Sequence, residues 1–154
     1  MEKCIKVKLT VPEQPSHGGI PGYVKESYWR SAKGTAILCR YSDRHGEIII
    51  EANNLLPLGV YTAWFVTDTG PYPAASRGAT YTSDGFDPNR VIVNKNGQLQ
   101  YYIAHLNFDP FKGVPIDSTV HKIKSIVLAF HTDGTTHGTI PGPHVEHLTG
   151  MVNV

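Results

Sequence analysis

The chain has 154 residues, of which 40% are hydrophobic and 18% are charged, and its formal net charge is +1. This length is typical of one domain, and the composition excludes a disordered chain. No arm or stripe of lysine and arginine is present, so nucleic-acid binding is not expected. No run of about 18 apolar residues occurs, so no membrane span is expected either.

The first predicted element is a strand near residues 3–11, where charged and apolar side chains alternate. This segment lacks the apolar core of a signal peptide, so we expect a cytoplasmic protein or the mature form of a secreted one. The stretch Val11–Tyr23, VPEQPSHGGIPGY, is rich in proline and glycine and predicts an extended arm. We therefore divide the chain into an N-terminal strand and arm, residues 1–22, and a main domain, residues 23–154.

The main domain alternates with a period of two residues in almost every segment. In EIIIEA, for example, Ile48, Ile50 and Ala52 share one face of a strand. No segment has a convincing helical stripe, so the fold is predicted to be all-β. Further strands are predicted near residues 24–30, 34–42, 46–52, 60–67, 90–94, 98–106, 121–131 and 145–152. About seven to nine mainly antiparallel strands predict a single β-sandwich with a Greek-key or jelly-roll connection.

Two cysteines, Cys4 and Cys39, lie on the first predicted strand and on the strand near residues 34–42. They do not make the dense disulfide framework of a small secreted domain. A single bridge between two strands is one alternative, and two free buried thiols are the other. We predict the free thiols, because an unpaired cysteine behaves as a small buried hydrophobic residue.

A long loop, residues 68–90, interrupts the strands with the sequence DTGPYPAASRGATYTSDGFDPNR. Loops of this length inside a compact domain are usually functional or contact a partner. Together with the extended arm, this loop leads us to expect a homo-oligomer.

The strongest candidate for chemistry is the histidine-rich segment after the last long strand, HTDGTTHGTIPGPHVEH, which holds four of the eight histidines. Neutral imidazole is the commonest protein ligand for zinc and copper. In a regular strand His144 and Glu146 share a face, whereas in a turn of helix His144 and His147 come together. A three-histidine site and a histidine–carboxylate site therefore both stay open.

The start of this segment repeats an earlier one, because HGTIPG at His137 echoes HGGIPG at His17. The Ile-Pro-Gly part is the expected sequence of a type II turn and requires no function. The histidine before it is not explained by the turn, and the first and last strands of a sandwich often lie close together. The candidate metal ligands are therefore His131, His137, His144, His147 and His17.

The segment NLLPLGVYTAWFV resembles a passage of chordin-like domains and of Cu,Zn superoxide dismutases, both small β-sandwiches. The resemblance extends from Lys33 to His131 and implies the sandwich fold. In the dismutases the corresponding strand carries alternating histidines that bind copper, but here it holds Tyr61, Thr62 and Trp64 and no histidine. The departure counts against dismutase chemistry. The segment HTDGTTHGTIPG is similar to a part of uncharacterised prokaryotic sandwich proteins.

Three functions follow from these patterns. The first is binding of a transition metal, zinc or copper, by the C-terminal histidines. The second is a self-assembling structural or binding module that uses the arm and the long loop. The third is an enzyme for a small molecule, with His131 or His137 as general base. Its pocket walls would be Trp64, Tyr72, Tyr81 and Phe86.

Overall fold

The structure is a computed structural model, and it describes residues 2–74 and 89–154. Eleven strands and one short helix are present in these residues. The strands are β1 (Lys3–Thr10), β2 (Lys33–Ser42), β3 (His45–Asn53), β4 (Val60–Thr67), β5 (Gly70–Pro73), β6 (Arg90–Ile92), β7 (Leu99–Leu106), β8 (Val114–Ile116), β9 (Thr119–His121), β10 (Ser125–Phe130) and β11 (Val145–Met151). The helix, α1 (Glu26–Arg30), lies between β1 and β2.

Nine of these strands form one antiparallel sheet in the order β5–β4–β10–β11–β1–β2–β3–β7, with β6 paired to β4. Strands β8 and β9 form a separate hairpin. The large sheet is curled, since Phe65 on β4 packs edge-on against Phe108 just after β7, with ring centroids 6.2 Å apart. The prediction of an all-β antiparallel fold is confirmed. The described strands outnumber the predicted seven to nine, because β5, β8 and β9 are too short to show a periodic pattern.

The core lies on one face of the sheet, here called the inner face. On β4, Tyr61, Ala63 and Phe65 point into it, while Thr62 and Trp64 point to the opposite, outer face. Alternation of this kind is the period-two pattern that predicted the strand. The outer face also carries a smaller apolar cluster made by Trp64, Val66, Val127 and Ala129.

Strand β11 contains a β-bulge that determines which of its side chains face outward. Leu148 pairs with Leu128 and Glu146 pairs with Ala129, so His147 is an extra residue between the two pairs. His147 and Leu148 are both completely buried on the inner face. Glu146 therefore stays on the outer face beside Ala129.

The predicted strand near residues 24–30 is wrong, because this segment forms α1. Its Trp29 is buried in the core, and Arg30 pairs with Glu26 one turn earlier, at 3.4 Å. A helix of five residues is too short to produce a recognisable helical stripe. Among the described residues there is no helix with the length and apolar character that a bilayer crossing requires.

The prediction of two free thiols is also wrong. Strands β1 and β2 pair so that Cys4 lies directly opposite Cys39, and the two sulfur atoms form a disulfide. The register of two strands decides whether two cysteines can meet, and neither sequence segment reveals it alone. The bond ties together two neighbouring strands in the middle of the sheet.

The N-terminal arm lies against its own chain. The backbone N–H of Glu146 donates to the carbonyl of Ser16 at 3.2 Å, which docks the arm on the start of β11. Arg30 holds an earlier part of the arm by donating to the carbonyl of Glu13 at 3.1 Å. The preceding strand β1 lies between β11 and β2, so it shares one sheet with the strands of the main domain.

Candidate functional site

Four of the five candidate histidines come together where β10 ends, β11 begins and the arm crosses. The ring centroids are 5.0 Å apart for His17 and His144, 6.4 Å for His144 and His131, and 6.2 Å for His131 and His137. We call these four residues the histidine cluster. One member, His17, comes from the arm and the other three come from the segment that follows β10, so the fold brings two distant parts of the chain together.

His17 and His144 stack at one end of the cluster, with ring planes 22° apart. The backbone of His17 has a φ of +68°, a left-handed conformation that few side-chain-bearing residues adopt. Its Nδ1 lies 2.7 Å from Glu146 Oε2 and 2.9 Å from the hydroxyl of Ser16. His144 donates from Nδ1 to the carbonyl of Gly142 at 2.7 Å, so in the neutral ring Nε2 carries the lone pair.

His131 follows the last residue of β10 on the outer face and is only 1% exposed. Its Nε2 is 2.7 Å from the hydroxyl of Thr62, which also accepts a hydrogen bond from the indole N–H of Trp64 at 2.6 Å. Its Nδ1 is buried and has no hydrogen-bond partner within residues 2–74 and 89–154. Burial, reinforced by the nearby imidazole of His144, lowers the pKa of His131 to about 4, although the Pro143 carbonyl opposes the shift.

His137 lies at the other end of the cluster and forms a pair with Asp133, with Nε2 and Oδ2 2.8 Å apart. A carboxylate only accepts hydrogen bonds, so Nε2 carries the proton and Nδ1 the lone pair of the neutral ring. Partial burial opposes ionisation of Asp133, but the hydrogen bonds from His137 and from the Thr135 backbone hold the pKa of this carboxyl below its ordinary value. Gly142 packs so closely on the ring of His137 that a Cβ there would overlap it.

His147, the fifth candidate, is separated from the cluster and lies on the inner face. Its Nδ1 accepts from the hydroxyl of Tyr61 at 2.8 Å, and its Nε2 donates to the carbonyl of Trp29 at 2.9 Å. Its ring also stacks on Trp29, with centroids 3.6 Å apart. Burial lowers the pKa of His147 to about 4. Both nitrogens are used in the core, so this residue is a structural one.

The two open alternatives for β11 are thereby resolved. His144 and Glu146 share the outer face, whereas His144 and His147 do not meet. The cause is the regular alternation of β11 up to Glu146, which is the strand alternative that the sequence left open. Across the described ranges, no group of three or more histidine, cysteine, aspartate or glutamate side chains is placed so that it could hold one metal ion.

A pocket of about 190 Å³ adjoins the cluster on the outer face. Its apolar side is formed by Trp64, Val66 and Val127, and its polar side by His17, His144 and Glu146. The carboxylate of Glu146 is largely buried, with its side chain 16% exposed. Sequence reasoning noted Glu146 as a neighbour of His144, but it did not find Asp133 or Thr62, because their partners lie on other segments or across a loop.

The structure brings the residues that were predicted to form the wall of an enzyme pocket only partly together. Trp64 lines the pocket, while Tyr72 lies instead near His121, with ring centroids 6.5 Å apart. Tyr81 and Phe86 lie outside the described residues, as does most of the long loop. The side chain of His105 is likewise outside the described part.

No protein-family model matches the chain, and it matches no curated protein. The resemblance to chordin-like domains and to superoxide dismutases stays a prediction. Strand β4 carries no histidine; the cluster takes its imidazoles from the arm and from the residues after β10.

Proposed function

We propose that the protein binds one transition metal ion, zinc or copper, through His131, His137 and His144. The observation that carries this proposal is the way each ring is held. One nitrogen of each imidazole bonds to a fixed partner, namely Thr62, Asp133 or the Gly142 carbonyl. Metal-binding histidines are typically oriented in this way, by a hydrogen bond from the nitrogen that does not face the metal.

The remaining nitrogens have the chemistry that a metal requires. Nδ1 of His137 and Nε2 of His144 carry the lone pair in the neutral rings, because the other nitrogen donates a proton. Nδ1 of His131 is buried and makes no hydrogen bond of regular geometry in the described part of the chain, although the Pro143 carbonyl acts on this ring. Three such atoms in one region supply the three protein ligands of an open metal site.

The ring separations require only a small closure around the ion. A bound imidazole has its ring centroid about 3 Å from the metal, so two rings on one ion have centroids within about 6 Å of each other. The separations of 6.2 Å and 6.4 Å, from His131 to His137 and from His131 to His144, are slightly larger than this limit, and metal binding would also require His137 and His144 to approach each other from either side of His131. The loop between His131 and His144 contains Gly134, Gly138 and Gly142, all with positive φ, and small changes in such a loop would close the cluster.

His17 is not part of the proposed ligand set. Its Nδ1 is engaged with Glu146, and its ring covers His144 from the solvent side. Its role in this proposal is to shield the site.

The test is to purify the protein without a histidine tag, remove metal with a chelator and titrate zinc and copper by calorimetry. We expect one metal ion per chain, with affinity reduced at least about tenfold in His137→Ala and His144→Ala. His45→Ala is the matched control, because His45 packs on Tyr41 in the β2–β3 hairpin, away from the cluster. Absence of stoichiometric metal, or equal affinity in all variants, would contradict the proposal.

In this proposal the scaffold of the metal site is a β-sandwich. We propose that the two halves of the curled sheet act as the two layers of a sandwich, with Phe65 and Phe108 meeting between them. The metal site would then lie at one end of the outer face, with His131 directly after β10, His144 directly before β11 and His137 in the loop between them.

Self-assembly through the arm is a second proposal, supported by the specific seat for the arm on β11. Ser16 and Gly18 fit closely against Glu146 and His144. The same surface of β11 would bind the arm of a second copy, so that two chains exchange identical arms. Light scattering over a range of concentrations tests this, and a strict monomer would contradict it. Residues 11–22 should be replaced by a flexible linker rather than deleted together with β1, because Val7 and Leu9 belong to the core.

A further inference from the structure

The outer face of β1 and β2 carries three exposed lysines that lie close together. Strand pairing places Lys8 opposite Thr35 and Lys33 opposite Thr10, so the two lysines are diagonal neighbours on adjacent strands. Lys6 lies on the same face of β1, two residues before Lys8 and about 7 Å from it. In the described part of the chain, none of the three lysines forms an ion pair with a carboxylate. Their positive charges can therefore be used by a ligand.

A pocket of about 500 Å³ lies among these lysines. Its lining also includes Thr35 on β2 and Glu51 and Asn53 on β3. The carboxylate and the amide oxygen accept hydrogen bonds, while the lysines and the amide nitrogen donate them. The pocket therefore suits a ligand that carries negative groups together with hydroxyl groups.

Farther along the same face, the ring of Tyr102 lies along the sheet. Its hydroxyl donates to Oε2 of Glu47 at 2.9 Å, and because Glu47 is on the neighbouring strand β3, this bond draws the ring across that strand. The hydroxyl of Tyr41 on β2 donates to the other oxygen of the same carboxylate. Tyr102 is 58% exposed, so its ring is held in place and still open to a ligand.

The lysines and the tyrosine ring belong to one row of side chains across four strands. Tyr102 on β7 pairs with Ile49 on β3. Ile49 pairs with Ile37 on β2, and Ile37 pairs with Lys6 on β1. Three strand spacings of about 4.8 Å put the two ends of the row roughly 14 Å apart. A ligand that contacts both ends is therefore elongated and crosses the strands.

We propose that this face binds an acidic oligosaccharide of several sugar units. Its negative groups pair with the three lysines, its hydroxyl groups bond to Glu51 and Asn53, and one sugar ring packs on Tyr102. The flat side of a sugar ring presents C–H groups of partial positive charge, which the negative face of an aromatic ring attracts. The site shares no residue with the proposed metal centre, so the two proposals are tested separately.

The carboxylates on this face favour a sugar chain over a nucleic acid. Glu47 and Glu51 lie on β3, between the lysines and Tyr102. A nucleic acid would bring a phosphate past them at every nucleotide, and juxtaposed like charges disfavour such a partner. A sugar chain offers hydroxyl groups to the same carboxylates.

The experiment titrates the full chain by calorimetry with three probes of equal length. These are hexagalacturonate, its fully methyl-esterified form and a thymidine hexanucleotide, and a chelator is present so that no metal ion bridges to the carboxylates. We expect hexagalacturonate to bind at least about tenfold more tightly than the ester, which has the sugar rings without the charges. No binding of hexagalacturonate, or equally tight binding of the hexanucleotide, would overturn the proposal.

A double variant tests the lysines. Lys6→Gln combined with Lys8→Gln should lower the affinity for hexagalacturonate by about fivefold or more, since two exposed ion pairs are lost. The matched control combines Lys25→Gln with Lys122→Gln, because Lys25 precedes α1, Lys122 follows β9 and neither lines this pocket. Equal losses in the two double variants would show that binding follows net charge alone and would overturn the proposal.

Substitutions of Tyr102 test the contact with the sugar ring. Tyr102→Ala should weaken binding of hexagalacturonate about tenfold, whereas Tyr102→Phe, which keeps the ring, should retain most of the affinity. Tyr23→Ala is the control, because Tyr23 is an exposed tyrosine that lines a different pocket, beside Leu58. Circular dichroism verifies that each variant is folded. Wild-type affinity in Tyr102→Ala, or an equal loss in Tyr23→Ala, would contradict the proposed contact.

Discussion

His17 and His144 stack with their ring centroids 5.0 Å apart, although they lie near opposite ends of the chain. The contact exists because the arm that follows β1 crosses the start of β11. The two copies of the His-Gly-x-Ile-Pro-Gly pattern therefore contribute to one region of the molecule. His17 and His137, the heads of the two copies, stand at opposite ends of the cluster, with His144 and His131 between them.

The pair formed by Asp133 and His137 should affect metal binding without contacting the metal. Asp133→Asn retains the shape of the side chain but removes the charge that orients His137. We expect zinc affinity to fall by about 10–100-fold, since such partners of metal-bound histidines typically have this effect. Calorimetric zinc titration measures it, with Asp43→Asn on the surface as control. Wild-type affinity in Asp133→Asn would contradict the orienting role.

Gly142 should be required for the position of His137. It has a φ of +64°, and a Cβ at this residue would overlap the imidazole ring. Gly142→Ala should therefore displace the ring and lower zinc affinity by at least about tenfold. The matched control is Gly134→Ala, because Gly134 has a similar φ of +74° but open space around it. Both variants should lose about 1–2 kcal/mol of stability from backbone strain, and only the first should lose zinc affinity.

Gly18 should be required for docking of the arm on β11. A Cβ here would lie 2.9 Å from the carbonyl oxygen of His144 and 3.0 Å from a methyl group of Val145. Gly18→Ala should push the arm away and break the hydrogen bond from the Glu146 amide to Ser16. Hydrogen exchange of the Glu146 amide measures this directly, and we expect it to become faster. Gly19→Ala, which meets no atom within 4 Å, should leave the exchange rate unchanged.

His147 should make stability depend on pH. In the folded protein its pKa is lowered to about 4 from 6.5, and Tyr61, which faces it, stays neutral because burial raises the pKa of the phenol. The imidazole therefore takes up a proton near pH 6.5 in the unfolded chain, but only near pH 4 in the folded protein. The stabilisation is fully present above pH 6.5 and is lost as the pH falls toward 4, by up to about 1.4 kcal/mol per pH unit.

Chemical unfolding at several pH values between 4 and 7 measures this slope. Lowering of the pKa of His131 contributes in the same range, so His147→Gln should reduce the slope without abolishing it. If the slope of unfolding free energy against pH were unchanged in His147→Gln, a group other than His147 would be taking up the proton.

The disulfide should make a large contribution to stability. Cys4 and Cys39 are 35 residues apart in sequence, so the bond closes a long loop in the unfolded chain. Reduction should lower the free energy of unfolding by about 3–4 kcal/mol. Urea unfolding with and without a thiol reductant measures the effect, and the variant with both cysteines changed to alanine should not respond to the reductant. If the reductant also left the stability of the wild-type protein unchanged, the result would contradict the disulfide between Cys4 and Cys39.

Most strands could be predicted from the sequence, because each half-buried strand has its own alternation. The segment EIIIEA carries this pattern within a few residues, whereas VYTAWFV is a run of β-branched and aromatic residues that is buried on both faces. The short elements could not be predicted, since α1 spans less than two helical turns and β5 has only four residues. The pairing of Cys4 with Cys39 was also beyond reach, because it depends on the register between two strands.

The histidine cluster could be predicted only as a set of candidates. The echo of His17 and His137 raised the question whether the arm and the C-terminal loop meet, and in the structure His17 contacts His144 rather than His137. The exclusion of His147 depends on the segment forming a strand rather than a turn of helix, and the pairing of His131 with Thr62 depends on strands β4 and β10 lying side by side. These are relations between distant segments, which local patterns do not contain.

The bulge in β11 also has a consequence for how this protein can vary. His147 is an insertion that leaves the frame of the strand intact, since Leu148 and Glu146 face the same partners they would face in a regular ladder without it. A homologue lacking this one residue would keep the same outward carboxylate and the same inward leucine. The two faces of β11 can therefore vary independently. On the inner face, beneath Trp29, the imidazole of His147 can be gained or lost by insertion or deletion. The pocket on the outer face changes by substitution alone.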